Sequence, residues 1–199
     1  MIIRFLVRLS NRNRASAVNH QQLTRRAYDS VRKLGADIGN LRVSSTAIEL
    51  DLLLESENAL QSAVNALENE MGPLLTLRKL DFESPKLEKE QAVKSGLDLF
   101  NQERYWESHE ALEAAWKTAS GDEKEILQGL ILIAAALVHW QKNERQVALS
   151  VLKRARDKLA NHETEYSGID LNGLTNKIEK MLKAEEPEFF KLVESNKSP

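Results

Sequence analysis

Hydrophobic positions along this chain follow two different rhythms. In IRFLVRLS (3–10) Ile3, Phe5, Val7 and Leu9 fall on one face of an extended chain and Arg4 and Arg8 on the other, which predicts a strand. Residues 19–34 then place Leu23, Ala27, Val31 and Leu34 at helical spacing, and Gly35 supplies the stop. Two extended runs follow, 37–44 and 47–54; in the second, Ile48, Leu50, Leu52 and Leu54 share a face and Glu49 and Asp51 lie opposite. Leu60, Val64, Leu67 and Met71 mark a second amphipathic helix over 57–71, closed by Gly72-Pro73, and 74–82 reads as the last strand.

The order βαββαβ over residues 1–82 predicts a ferredoxin-like α+β domain. Its first and third strands are then antiparallel neighbours, with Arg4 and Arg8 facing Glu49 and Asp51. An ACT-like regulatory module shares this topology, but SNRNR (10–14) stands where its glycine-bearing turn belongs. The open face lacks the aromatic residues of an RNA-recognition motif.

A linker at 83–90 precedes an all-α domain over 91–199, with Ser84 as cap and Pro85 at the first helical position. Helices are predicted at about 86–102, 105–118, 122–142, 144–160, 171–184 and 187–194. Asp170 caps the fifth, and Pro187 opens the sixth. Residues 103–115 align with 143–155 at an offset of 40. Glu107/Val147, Ser108/Ala148, Leu112/Leu152 and Ala115/Ala155 are equivalent. Small residues at such positions let two helices approach, as in tetratricopeptide (TPR) repeats, so the domain is read as TPR-like: two helix pairs side by side.

Composition narrows the function classes. There is no cysteine, which removes disulfides and thiolate chemistry and fits a reducing cytoplasm. The formal charge is −2 overall. It is uneven: residues 1–42 hold nine basic and two acidic side chains, and 43–83 hold two and eight. Arg12, Arg14, Arg25 and Arg26 surround the first strand–helix turn and form a candidate anion or nucleic-acid contact, against the simpler reading of a balanced, solvated face. The apolar run 126–140 contains Gln128, Gly129 and His139 and reads as a core helix, not a membrane span. Walker A, dinucleotide-binding, nucleophile-elbow and EF-hand motifs are missing.

LFNQERYWESHEALEAAW (99–116) is the densest chemical stretch. On a helix Tyr105, His109, Leu112 and Trp116 form one stripe, with Glu113 within reach of His109. If His139 on the following helix meets them, His109, Glu113 and His139 make a candidate zinc, iron or manganese site, with Glu110 as a fourth ligand or base. The competing reading is a buried polar network among packed aromatic residues. Trp106, Trp116 and Trp140 read as core, Asn101 as a bond to a neighbouring backbone, and Gly129 as a point of close helix approach.

Phe100-Asn101, Tyr105, His109-Glu110, Glu113, Trp116, Leu127-Gln128-Gly129, Ala134–Ala136, His139 and YSGID (166–170) together resemble domain of unknown function 309, a prokaryotic family of small helical proteins. The resemblance covers about residues 93–171 and implies a compact helical fold, without implying an activity. Residues 1–82 lie outside it. The leading expectation is a cytoplasmic, non-enzymatic binding or scaffold protein, with a protein or peptide partner or a second copy as its target. The rivals are a metal-dependent enzyme and an anion or nucleic-acid binder.

Overall fold

The structure is a computed structural model that describes residues 2–80, 87–162 and 165–192. Two compact units divide it, one built from residues 1–84 with 141–143 and the other from 85–140 with 144–199.

The first unit is α+β. Strands β1 (Ile3–Ser10), β2 (Ala36–Val43), β3 (Ala47–Leu54) and β4 (Leu74–Lys79) form one antiparallel sheet in the order β2-β3-β1-β4, the ferredoxin-like arrangement. Helices α1 (His20–Val31) and α2 (Leu60–Met71) complete it. Phe5, Val7 and Leu9 join Ile48, Leu50, Leu52 and Leu54 in one core with Leu23, Ala27 and Val31 of α1 and Val64, Leu67 and Met71 of α2. The period-two and period-3.6 patterns therefore describe the two faces of a single apolar layer. Leu34 falls beyond α1 and is exposed.

The opposite sheet face is charged. Arg8 stands directly across from Glu49, 3.8 Å away. Arg4 reaches diagonally to Asp51 at 2.5 Å, and Arg42 lies 3.7 Å from the same carboxylate. A bulge between Gly39 and Arg42 puts Asn40 in the left-handed region (φ 48°) and lets its amide donate to Asp51 at 2.7 Å. Asp51 on β3 thus draws together side chains from both neighbouring strands, β1 and β2.

The second unit is helical: α3 (Lys89–Asn101), α4 (Tyr105–Trp116), α5 (Gly121–Gln141), α6 (Arg145–Leu159) and α7 (Leu171–Ala184). A short hairpin of β5 (Glu165–Tyr166) and β6 (Ile169–Asp170) precedes α7, where the sequence pattern predicts no strand; Ser167 and Gly168 turn it with positive φ. Asp170 caps α7 by accepting from the Gly173 amide.

The offset of 40 extends to the backbone. Glu103 and Asn143 occupy the same left-handed conformation (φ 59° and 61°), and Arg104 and Glu144 the same bent one (φ −90°, ψ 58° and φ −95°, ψ 60°). The amide of Arg104 bonds the carbonyl of Leu99 as that of Glu144 bonds His139. Both hairpins therefore turn through one three-residue loop. Helix contact is close in each. A Cβ at Gly96 would fall 2.6 Å from Leu112 Cγ, and one at Gly129 would fall 2.6 Å from Leu159 Cγ. Close approach at Gly129 is what its place in the helix predicted.

One helix fails to form. Residues 187–192, expected as the start of a helix to 194, run without regular secondary structure. Glu185 ends α7 in the left-handed region (φ 52°), and the Leu192 amide donates to Asn101 Oδ1 at 2.7 Å instead of to a helical carbonyl. Asn101 has the backbone-bonding role read from its position. The expected Ser84 cap and Pro85, the ends of the 74–82 strand and the 187–194 helix, and Glu163-Thr164 lie outside the described residues. Among the described residues no helix is long and apolar enough to cross a membrane.

Candidate functional site

Helix α4 carries the aromatic–histidine stretch. Tyr105, Ser108, Leu112 and Ala115 point into the core, and the Ser108 hydroxyl donates to the Gly96 carbonyl of α3 at 2.8 Å. Arg104 grips Glu107 through two bonds of 2.7 and 2.8 Å. Trp106 and Trp116 are partly buried and pack on this core from its edges.

His109 lies parallel to the Trp106 ring, with centroids 6.1 Å apart and planes within 6°. Burial pushes its pKa below the usual histidine value, opposed by the Glu113 carboxylate. Its Nδ1 is buried without a hydrogen-bond partner. Glu113 also faces Lys117, 3.4 Å away. His139 does not join them. It stands in the last turn of α5 and pairs through Nδ1 with Glu144 across the hairpin turn. Among the described residues no three His, Asp or Glu side chains gather as a group able to hold a metal ion. The His109–Glu113–His139 set is therefore not assembled, and Glu110 has no such cluster to complete. The core stripe of α4 runs through Tyr105, Ser108, Leu112 and Ala115, so His109 and Trp116 flank it instead of lying on it, and His139 is half-buried where a buried position was expected. His139 is level with the turn, whereas His109 is one helical turn into α4.

The four arginines take separate roles. Arg12 and Arg14 lie in the β1–α1 loop, which buried Asn11 pins by bonding Ala15 and Ser44. Arg26 is bound by the side chain and carbonyl of Glu70, at 2.5 and 3.2 Å. Arg25 pairs loosely with Asp29 (3.9 Å) and borders a shallow depression with His20 and Tyr28.

Two concavities of the helical unit escaped sequence reasoning. The larger, about 860 Å³, runs between α4, α5 and α6 and is lined by Trp116, Gln128, Leu132, Arg154, Lys158 and His162 among others. Lys124 Nζ sits 4.4 Å above the Trp116 ring, and Lys158 pairs with Glu125 at 2.6 Å. Trp116 and Gln128 already stood out in the sequence; Arg154 and Lys158 did not, because on α6 they look like an ordinary solvated face. The smaller, about 210 Å³, adjoins the β5–β6 hairpin. There Glu123 accepts from Lys89 (2.8 Å) and from the Tyr166 hydroxyl (3.2 Å). Burial, then the Glu123 charge, push the Tyr166 phenol up to about 12, and the Glu123 bond raises Lys89. Both groups stay protonated at neutral pH, so this trio clamps the hairpin to α3 and α5.

Residues 93–151 match the family described as Domain of unknown function (DUF309). The helical unit is also similar to a solved structure of a conserved hypothetical protein from Thermus thermophilus. That similarity has 33% identity over 45% of this chain and 94% of the other, with a TM-score of 0.40. No curated protein matches the chain.

Proposed function

Its helical unit belonging to the DUF309 family, this protein is, we propose, a non-enzymatic binding protein that presents the α4–α5–α6 groove to a peptide segment of a partner. One observation carries the reading: a groove of about 860 Å³ bordered by Trp116 at the meeting of the two repeated hairpins. Stacked helix pairs commonly use such concave surfaces to hold extended ligands. Tryptophan is the side chain that most often anchors a partner, because it offers a large rigid face. Leu132 adds the second apolar side chain of a mostly polar lining, and the Gln128 amide offers a donor and an acceptor to a peptide backbone. Around them stand charges of both signs, with Lys124, Arg154 and Lys158 among Asp122, Glu125 and Asp157. That rim suits a peptide with an apolar anchor and mixed charged flanks.

The test is selection of peptides from a random display library against the full chain. Dissociation constants are then measured for wild type and for Trp116→Ala and Gln128→Ala. Loss of an anchor is worth at least ~1.4 kcal/mol, or tenfold in Kd. Selected peptides that bind Trp116→Ala as tightly as wild type refute the assignment. The arginine-rich loop makes a second, weaker claim on function: nucleic acid bound through Arg12 and Arg14 is released steeply by salt.

A further inference from the structure

Beyond α7 the chain lies against a surface of the helical unit that shares no residue with the groove lining. Residues 183–186 are exposed, and residues 186–192 have no regular secondary structure. Pro187, Phe190 and Leu192 are buried, while Glu188 and Lys191 face outward. Phe190 meets Phe100 edge-on (5.3 Å, 62°), and Phe189 tilts against Tyr105 (6.0 Å, 38°). The Leu192 amide is held by Asn101 Oδ1. From α7, Lys177 covers the Phe190 ring at 5.0 Å and pairs with Glu188 at 3.3 Å.

This segment is held as a bound peptide is. Aromatic pockets take its side chains, and a side-chain amide reads its backbone in place of any helix or strand partner. The fit has a defect: the Tyr105 hydroxyl beneath the segment is buried and turned toward the Phe190 backbone, yet closes no hydrogen bond. A left-handed residue and an exposed stretch join it to α7, so it can leave without unwinding that helix.

We propose that the surface of Phe100, Asn101 and Tyr105 is a second peptide site, occupied in cis by residues 187–192. It is selective for a non-helical partner segment that carries an aromatic residue two positions before an aliphatic one. The cis segment lowers the apparent affinity for that partner by the fraction of time it fills the site.

The test uses the full chain with Phe190→Ala and Leu192→Ala together, and a fluorescein-labelled peptide Pro-Glu-Phe-Phe-Lys-Leu. The peptide binds the double variant about tenfold or more tighter than wild type, and adding Asn101→Ala abolishes that gain. Equal binding to both chains, or to neither, overturns the proposal. If the double variant loses its circular dichroism, hydrogen exchange of the wild type decides. Amides of 188–192 exchanging about a hundredfold faster than those of α3 and α4 support a detachable segment, and equal protection overturns it. Wild-type dimers that the double variant cannot form assign the surface to segment exchange between copies and overturn the partner reading.

Discussion

Replacing Tyr105 with phenylalanine should stabilise the helical unit. Tyr105 is completely buried, with its ring edge-on to Phe100 at 4.8 Å and 69°. The ring contacts survive the substitution, so the apolar burial is unchanged. What disappears is a buried hydroxyl without a hydrogen-bond partner, whose desolvation costs ~1–3 kcal/mol. A gain of about 1 kcal/mol at neutral pH follows, read as a higher urea midpoint with unchanged slope. The pH dependence supplies an independent check. Burial pushes the Tyr105 phenol well above its usual range, so the folded state keeps a proton that the unfolded state loses above about pH 10. The unfolded chain then binds fewer protons, and stability falls as pH rises. Tyr105→Phe removes that part of the alkaline slope and leaves the part from Tyr166, which lies between about pH 10 and its folded value of about 12. A variant destabilised by more than about 0.5 kcal/mol, or one with the wild-type alkaline slope, refutes the reasoning and assigns the hydroxyl a bond to the Phe190 backbone.

Asp51→Ala removes the buried carboxylate shared by Arg4, Arg42 and Asn40 and costs ~3–5 kcal/mol of stability in the first unit, measured by denaturant titration. Gly129→Val drives a side chain into Leu159 and costs ~1–3 kcal/mol; an unchanged midpoint contradicts the close packing. His139→Ala breaks only the half-exposed pair with Glu144, costs under ~1 kcal/mol and leaves metal content unchanged by elemental analysis. Stoichiometric zinc, iron or manganese lost in that variant contradicts the geometry. Charge reversal of Arg12 and Arg14 together leaves stability within about 0.5 kcal/mol, because both lie on the loop surface; any salt-sensitive nucleic-acid binding it removes favours the second reading.

What could be read beforehand follows from how local each feature is. The β1–β3 pairing was legible because Arg8 and Glu49 sit opposite each other in a period-two pattern. The helical repeat was legible in its small residues, Ser108 and Ala148. Its shared loop was not, because Glu103 and Asn143 reach the same left-handed conformation with unlike side chains. Pro187 looked like a helix start, yet the buried positions 187, 190 and 192 answer to Asn101 and Phe100, some 90 residues away. The metal triad failed for a related reason: it required the relative heights of α4 and α5, which periodicity does not encode. The Trp116 groove is assembled from three helices, and only two of its lining residues, Trp116 and Gln128, carried a visible signal.

Three tryptophans give three indole N–H resonances, which makes the central claim directly measurable. In two-dimensional ¹H–¹⁵N spectra of the full chain titrated with a selected peptide, the Trp116 indole should shift and saturate while those of Trp106 and Trp140 stay in place. Saturating shifts at Trp106 or Trp140 with Trp116 unmoved would contradict the groove assignment and place binding elsewhere on the molecule.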